Sequence, residues 1–203
     1  KLNACPNAII DCSEKSIGTK ILLAEIAIFI LLLLQLQKYI FTMKLIKDTE
    51  LILTDKKKIY HLNLSPDDIA SDIIIVGDPD RVSQVSNFFD TISLKVQHRE
   101  FITHTGTYNN KRISVLSTGI GTDNIDIVLN ELDALINIDF QTRTVKKIKK
   151  SLNIIRIGTS GSIQKDVKVD SFVMASHGLG FDGLAHFYKL KGITSEEIAN
   201  LFI

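Results

Sequence analysis

Between residues 60 and 175 the chain alternates short apolar blocks with polar ones, and three of the apolar blocks end in glycine. Ile73-Ile74-Ile75-Val76 runs into Gly77-Asp78-Pro79-Asp80-Arg81, Arg112–Ser117 into Thr118-Gly119-Ile120-Gly121, and Asn153–Ile157 into Gly158-Thr159-Ser160-Gly161. Short apolar runs bounded by turn residues read as buried strands. Asp80–Phe89 places Val82, Val85, Phe88 and Phe89 at helical spacing, and Asp123–Ile136 does the same with Ile127, Leu129, Leu132, Leu135 and Ile136. A helix is therefore predicted after each of the first two glycine turns. Ser93–Gln97, Phe101–Tyr108 and Arg112–Ser117 are β-rich, with Asn109-Asn110 as a hairpin turn between the last two. Val167–Ala175 predicts a further strand. Ser65-Pro66-Asp67-Asp68 has the form of a helix start, with Ser65 as N-cap, Pro66 at the first position and acids in the first turn, opening a brief helix to about Ala70. Lys44–Tyr60 reads as a peripheral arm outside the core.

Strands that alternate with helices predict an α/β domain whose central sheet is largely parallel, and in such sheets ligands collect beyond the carboxyl ends of the strands. The three glycine turns would converge there. Glycine lets backbone N–H groups approach an anion, Pro79 stiffens its turn, and Arg81 offers a forked cation suited to phosphate or carboxylate. Gly-Asp-Pro is equally an ordinary turn signal. Arg156 stands inside an otherwise apolar strand, where a buried guanidinium needs an anionic partner. Two readings stay open: an ion pair with Asp78 or Asp126, or a phosphate oxygen held by Arg81, Arg156, the Gly77 amide and Thr159.

Composition narrows the function classes. The 203 residues suit one α/β domain, and 24 Lys plus Arg against 23 Asp plus Glu leave no global field to recruit nucleic acid. Any anion site must be local. The basic stretch from Asp139 to Ser151 lacks interleaved aromatics and reads as a solvated loop or helix end. Cys5 and Cys12 are the two cysteines, so the rest of the chain has neither a disulfide framework nor a cysteine metal site, which suits a reducing cytoplasm. Residues 21–36 are almost wholly aliphatic and could be a signal peptide or a membrane anchor. Against that, Glu25 near a bilayer centre would cost about 2.5–3.5 kcal/mol. The expected organisation is an extension over 1–42, read through from upstream, and a domain over 43–203 that starts at Met43; a membrane tether through 21–36 is the alternative.

The ordered set GDPDRV (77–82), HREF (98–101), STGIG (117–121) and RIGTSG (156–161) resembles the nucleoside phosphorylase family, which includes uridine phosphorylase and the hexameric purine nucleoside phosphorylases. The likeness runs from about Tyr60-His61-Leu62 to about Asp182–Phe187 and leans toward the uridine phosphorylase branch. It implies a three-layer fold with a central mixed, largely parallel twisted sheet flanked by helices. It also implies attack of inorganic phosphate on the anomeric carbon of a nucleoside, uridine first, with no metal or other cofactor. Purine nucleoside phosphorylase and nucleosidase activities are the alternatives within the family.

By the same resemblance Gly77, Arg81, Arg156 and Thr159 bind phosphate, and Thr159 also borders the nucleoside. Arg99 of the HREF motif reaches the phosphate of a neighbouring subunit, and His61 touches the sugar 5′-hydroxyl across the same interface. The resemblance implies a dimer-built homo-oligomer, with a hexamer expected. Read from the residues alone, His61 is a satisfied surface histidine and Arg99 a partner of Glu100 or Asp90. His104, His177 and His186 are loop or core histidines. Asn124 stands where relatives with a monovalent cation site place a serine, so no metal is assigned. Two departures stand out: the 139–151 stretch is longer than the corresponding loop of bacterial uridine phosphorylases, and the family's base and ribose residues are expected beyond Ile203, so the domain reads as C-terminally incomplete. A non-catalytic phosphate-binding or membrane-tethered module, or a defective product with an exposed sheet edge, are the readings from other classes.

Overall fold

The computed structural model describes residues 45–176, 178, 180 and 182–189. The apolar run at 21–36, Met43, His177 and residues 190–203 lie outside them. The chain divides into two units, Lys1–Ile46 and Lys47–Ile203, and the sheet with its helices belongs to the second.

A 3-10 turn, Pro66–Asp68, precedes strand β1 (Asp72–Val76) and helix α1 (Asp80–Ser86). Strands β2 (Thr91–His98), β3 (Phe101–Tyr108) and β4 (Lys111–Ser117) come next, then helix α2 (Thr122–Asn137), the two-residue strands β5 (Ile138–Asp139) and β6 (Thr144–Val145), strand β7 (Asn153–Ile157) and a second 3-10 turn, Leu184–Phe187. The main sheet has the order β2-β3-β4-β1-β7. β1 lies parallel to both β4 and β7, whereas β2, β3 and β4 form an antiparallel meander. The sheet is thus mixed, as expected, with its parallel half centred on β1. Asn109 and Asn110 both take positive φ, 49° and 60°, which is the twist a two-residue hairpin turn requires.

Register assigns the faces. Ile74 and Val76 share one face with Val115 and pack against Val82, Val85, Phe89 and Ile102, so α1 covers that side. Ile73 and Ile75 point the other way, beside Ser114 and Leu116. Residues 67–70 lie over that second face, tied down by a directed chain of hydrogen bonds. Ala70 N–H donates to Ser114 Oγ at 2.9 Å, Ser114 and Thr105 hydroxyls meet at 2.7 Å, and Thr105 Oγ1 donates to the Asp68 carbonyl at 2.8 Å. An amide at one end and a carbonyl at the other leave a single consistent direction for the protons. Arg112 adds a bond to the Ile69 carbonyl at 2.8 Å. Two polar residues can therefore be fully buried in the sheet without an orphaned donor.

Several expectations are corrected. The opening helix is one 3-10 turn, closed by Ser65 N–H to Asp68 Oδ2 at 2.7 Å. The arm is not peripheral: Leu51 and Ile59 are buried, and Leu53 bridges to Ile59. Phe88 is 75% exposed, because after α1 the chain tightens to bonds from Phe88 to Val85 and from Phe89 to Ser86, which rotate it off the buried stripe. The 139–151 stretch is a miniature β5–β6 hairpin with a tail. Arg143 there is clamped to the Lys47 carbonyl and to Asp48. β7 forms where predicted, but every residue of it is exposed, since among the described residues β1 is its sole neighbour. Val167–Ala175 forms no strand; Phe172 and Met174 are fully exposed and no described strand pairs with the segment.

Candidate active site

Because β1, β4 and β7 are parallel, Gly77, Thr118-Gly119 and Gly158-Thr159 emerge at the same end of the sheet. Thr118 N–H donates to the Val76 carbonyl at 2.9 Å and holds the first two turns together. Asp78 shapes the first, accepting from Asp80 N–H at 3.0 Å, while Arg81 N–H reaches the Asp78 carbonyl at 3.2 Å. Gly119 has φ +70°, a conformation side chains rarely adopt, and a Cβ there would stand 2.8 Å from Asn124 Nδ2 and 3.2 Å from Glu100 Cγ.

Arg156 lies on the same face as Ile75 and folds back over the glycines. A Cβ at Gly77 would sit 3.5 Å from its Nη2, and one at Gly158 would sit 3.0 Å from its Nη1. The guanidinium uses the room that two missing side chains leave. Arg81 Nη2 meets Thr159 Oγ1 at 3.4 Å. The structure therefore brings Gly77, Arg81, Arg156 and Thr159 into one cluster. Arg156 is exposed, and neither Asp78 nor Asp126 pairs with it; among the described residues no carboxylate forms an ion pair with Arg81, Arg99 or Arg156. The cluster offers two forks, a hydroxyl and accessible backbone to an oxyanion.

His61 and Arg99 belong to a second cluster. Arg99 stands in the β2–β3 turn with φ 55°, exposed, its guanidinium 5.6 Å from the centre of the Tyr60 ring. Tyr60 also makes edge contacts with His61 and His98, and His98 Nδ1 donates to the His61 carbonyl at 2.8 Å. Neither Glu100 nor Asp90 pairs with Arg99. Sequence reasoning missed Glu131, whose carboxylate accepts from His61 N–H at 3.0 Å, Leu62 N–H at 2.9 Å and His61 Nδ1 at 2.7 Å. Its signal was present: on α2 the acid sits between the buried Val128, Leu132 and Leu135. His104, expected as a core or loop histidine, is buried and bonds Ser86 Oγ at 2.8 Å. His186 is exposed on the second 3-10 turn.

Comparison with known proteins supplies a lineage for this arrangement. Residues 72–195 match the family model described as the phosphorylase superfamily. The chain is 33% identical over 135 residues to a uridine phosphorylase of Thermococcus kodakarensis, a stretch covering 66% of this chain and 44% of that protein. It is 36% identical over 145 residues to a DeoD-type purine nucleoside phosphorylase of Clostridium novyi, covering 64% and 57%. The crystal structure of a Trypanosoma brucei nucleoside phosphorylase, described as showing uridine phosphorylase activity, superposes with a TM-score of 0.54 at 36% identity over 58% of this chain and 41% of that one. The chain thus spans about half the length of the curated relatives it matches. With the family match extending over more than half of its residues and the sheet folded in the same way, the chain belongs to the phosphorylase superfamily.

Proposed function

We propose that the protein is a nucleoside phosphorylase that uses inorganic phosphate to cleave the N-glycosidic bond of a nucleoside, uridine first, giving free base and ribose 1-phosphate. One observation carries this reading: Arg156 spread over Gly77 and Gly158, with Arg81 against Thr159, makes a cationic cluster with which no carboxylate among the described residues forms an ion pair. In the reaction a phosphate oxygen bonds to C1′ as the C1′–N bond breaks, and the electron pair leaves with the base, which takes up a proton. Holding phosphate beneath the sugar replaces a bimolecular encounter with an oriented one, for which effective molarities on the order of 10⁵ M are accessible. The anion also opposes the oxocarbenium-like charge on the sugar. The nucleophile is the co-substrate, so the chain's part is to bind and orient it, and the reading assigns no further cofactor.

In this reading Arg99 and His61 serve the site of a neighbouring copy, completing a dimer-built assembly, and Thr159 borders both substrates. In the same reading the domain begins at Met43 and works in the cytoplasm. Likeness to the Clostridium novyi enzyme favours a second reading, phosphorolysis of a purine nucleoside. Base release from uridine and from inosine, with and without phosphate, tests both. Phosphate-dependent uracil release supports the first reading, and phosphate-dependent hypoxanthine release supports the second. Equal release without phosphate makes the protein a nucleosidase. Stabilisation by phosphate with no release from either nucleoside makes it a binding module.

A further inference from the structure

Glu131 receives three donors from one short stretch of chain, although its side chain keeps only 12% of its surface in solvent. Two are the backbone N–H groups of His61 and Leu62, which fix the path of the arm. The third is a ring nitrogen. An ionised carboxylate can only accept, so the proton between Glu131 Oε1 and His61 Nδ1 sits on the imidazole. In the neutral ring that leaves Nε2 as a lone pair pointing away from Glu131. His98 Nδ1, donating to the His61 carbonyl, holds the same peptide from the other side. The backbone and ring of His61 are thereby fixed together, an arrangement that a histidine serving only to cover the surface does not need.

We propose that Glu131 is a positioning residue that sets the tautomer of His61, so that the ring offers Nε2 as an acceptor to a hydroxyl donor. This rests on the reading that His61 meets the sugar 5′-hydroxyl. The lone pair accepts from that hydroxyl, finds no donor in a 5′-deoxy sugar, and opposes the oxygens of a 5′-phosphate ester. Glu131 thus favours free nucleosides over nucleotides through a residue that never touches them.

The test combines ¹⁵N NMR of the histidines at alkaline pH with kinetics on uridine and 5′-deoxyuridine. His61 is assigned through His61→Ala and is expected as the Nδ1–H form. Glu131→Met, close in size but with no acceptor, is expected to release the ring to a mixture of tautomers. It should also lower the ratio of kcat/KM for uridine over 5′-deoxyuridine about tenfold, the worth of one hydrogen bond to a held partner. His61→Ala should lower that ratio equally, and the double variant no further. Thermal melting checks the fold; should Glu131→Met fail to fold, Glu131→Gln, which keeps one oxygen, is expected to show the tautomer shift in part. A wild-type ring in the Nε2–H form, or one that Glu131 variants leave unchanged, overturns the proposal. A ring that responds to Glu131 in an enzyme indifferent to the 5′-hydroxyl overturns instead the placement of His61 at the sugar.

Discussion

Arg156 Nη2 lies where it would touch, at 3.5 Å, a Cβ that Gly77 does not have. One is the last charged residue of β7, the other the first residue after β1, and parallel pairing of Val76 with Ile157 brings them together. An exposed arginine with no acid beside it gains little for the fold, so its conformation matters chiefly for what it can bind.

Replacing either pocket arginine should therefore weaken anion binding more than stability. Arg156→Ala and Arg81→Ala are each expected to lower phosphate affinity at least tenfold, since a charge-assisted hydrogen bond is worth roughly 1.5–3 kcal/mol. Melting temperature measured against phosphate concentration checks this. Unchanged phosphate stabilisation in both variants would remove the proposed site.

Gly106 leaves no room for a side chain. A Cβ there would lie 2.0 Å from the Thr91 carbonyl oxygen and 3.0 Å from its carbon, both backbone atoms, beside the β2 irregularity between Ile92 and Leu94. Gly106→Ala is expected to destabilise the domain by more than about 2 kcal/mol, because strands have to separate. Urea denaturation measures the loss, and a variant as stable as the parent would refute the packing.

The hydroxyl chain through Ser114 and Thr105 gives a coupled prediction. Ser114→Ala strands the Ala70 N–H, and Thr105→Val strands the Asp68 carbonyl and removes the acceptor for Ser114; each should cost about 1–3 kcal/mol. Because the two share one bond, the double variant should lose less than the two separate losses combined. Strict additivity in a double-mutant cycle would rule the chain out.

Acid should weaken the fold through His104. Burial first, and the charge of Lys95 second, push its pKa below the ordinary 6.5, so the folded state binds a proton less readily than the unfolded one. The stability this contributes is present above about pH 6.5 and falls as pH drops toward and past the lowered folded value. His104→Asn, which keeps a polar partner for Ser86, should flatten that slope. Urea midpoints between pH 7.5 and 5 decide it; an equal slope in both proteins would place the acid sensitivity elsewhere.

Local sequence carried much of this architecture. The glycine turns, the Asn109-Asn110 hairpin and both helices derive from spacing and turn chemistry, and parallel strands then force Gly77, Gly119 and Gly158 to one end. What spacing could not provide was depth. Ile154, Ile155 and Ile157 read as core because buried and exposed strands have the same apolar composition, and only sheet order leaves β7 with β1 as its sole neighbour among the described residues. Leu51 and Ile59 read as periphery because the polar residues 54–58 mask the bridge from Leu53 to Ile59. Glu131 escaped notice because its partners, His61 and Leu62, are distant in sequence and meet it only through tertiary packing.

β1 is the earliest strand of the sheet to be synthesised, and it takes an interior place between β4 and β7. One flank waits for β4, and the other waits for β7, where Ile75 finds Arg156. Pairings so distant along the chain are slow to close, and until they do the apolar faces of β1 stand open to other chains. On the ribosome the pocket cannot exist before Thr159 has emerged. If the proposed site binds phosphate, that binding reports that β7 has docked on β1, and phosphate added during refolding should capture only molecules in which it has.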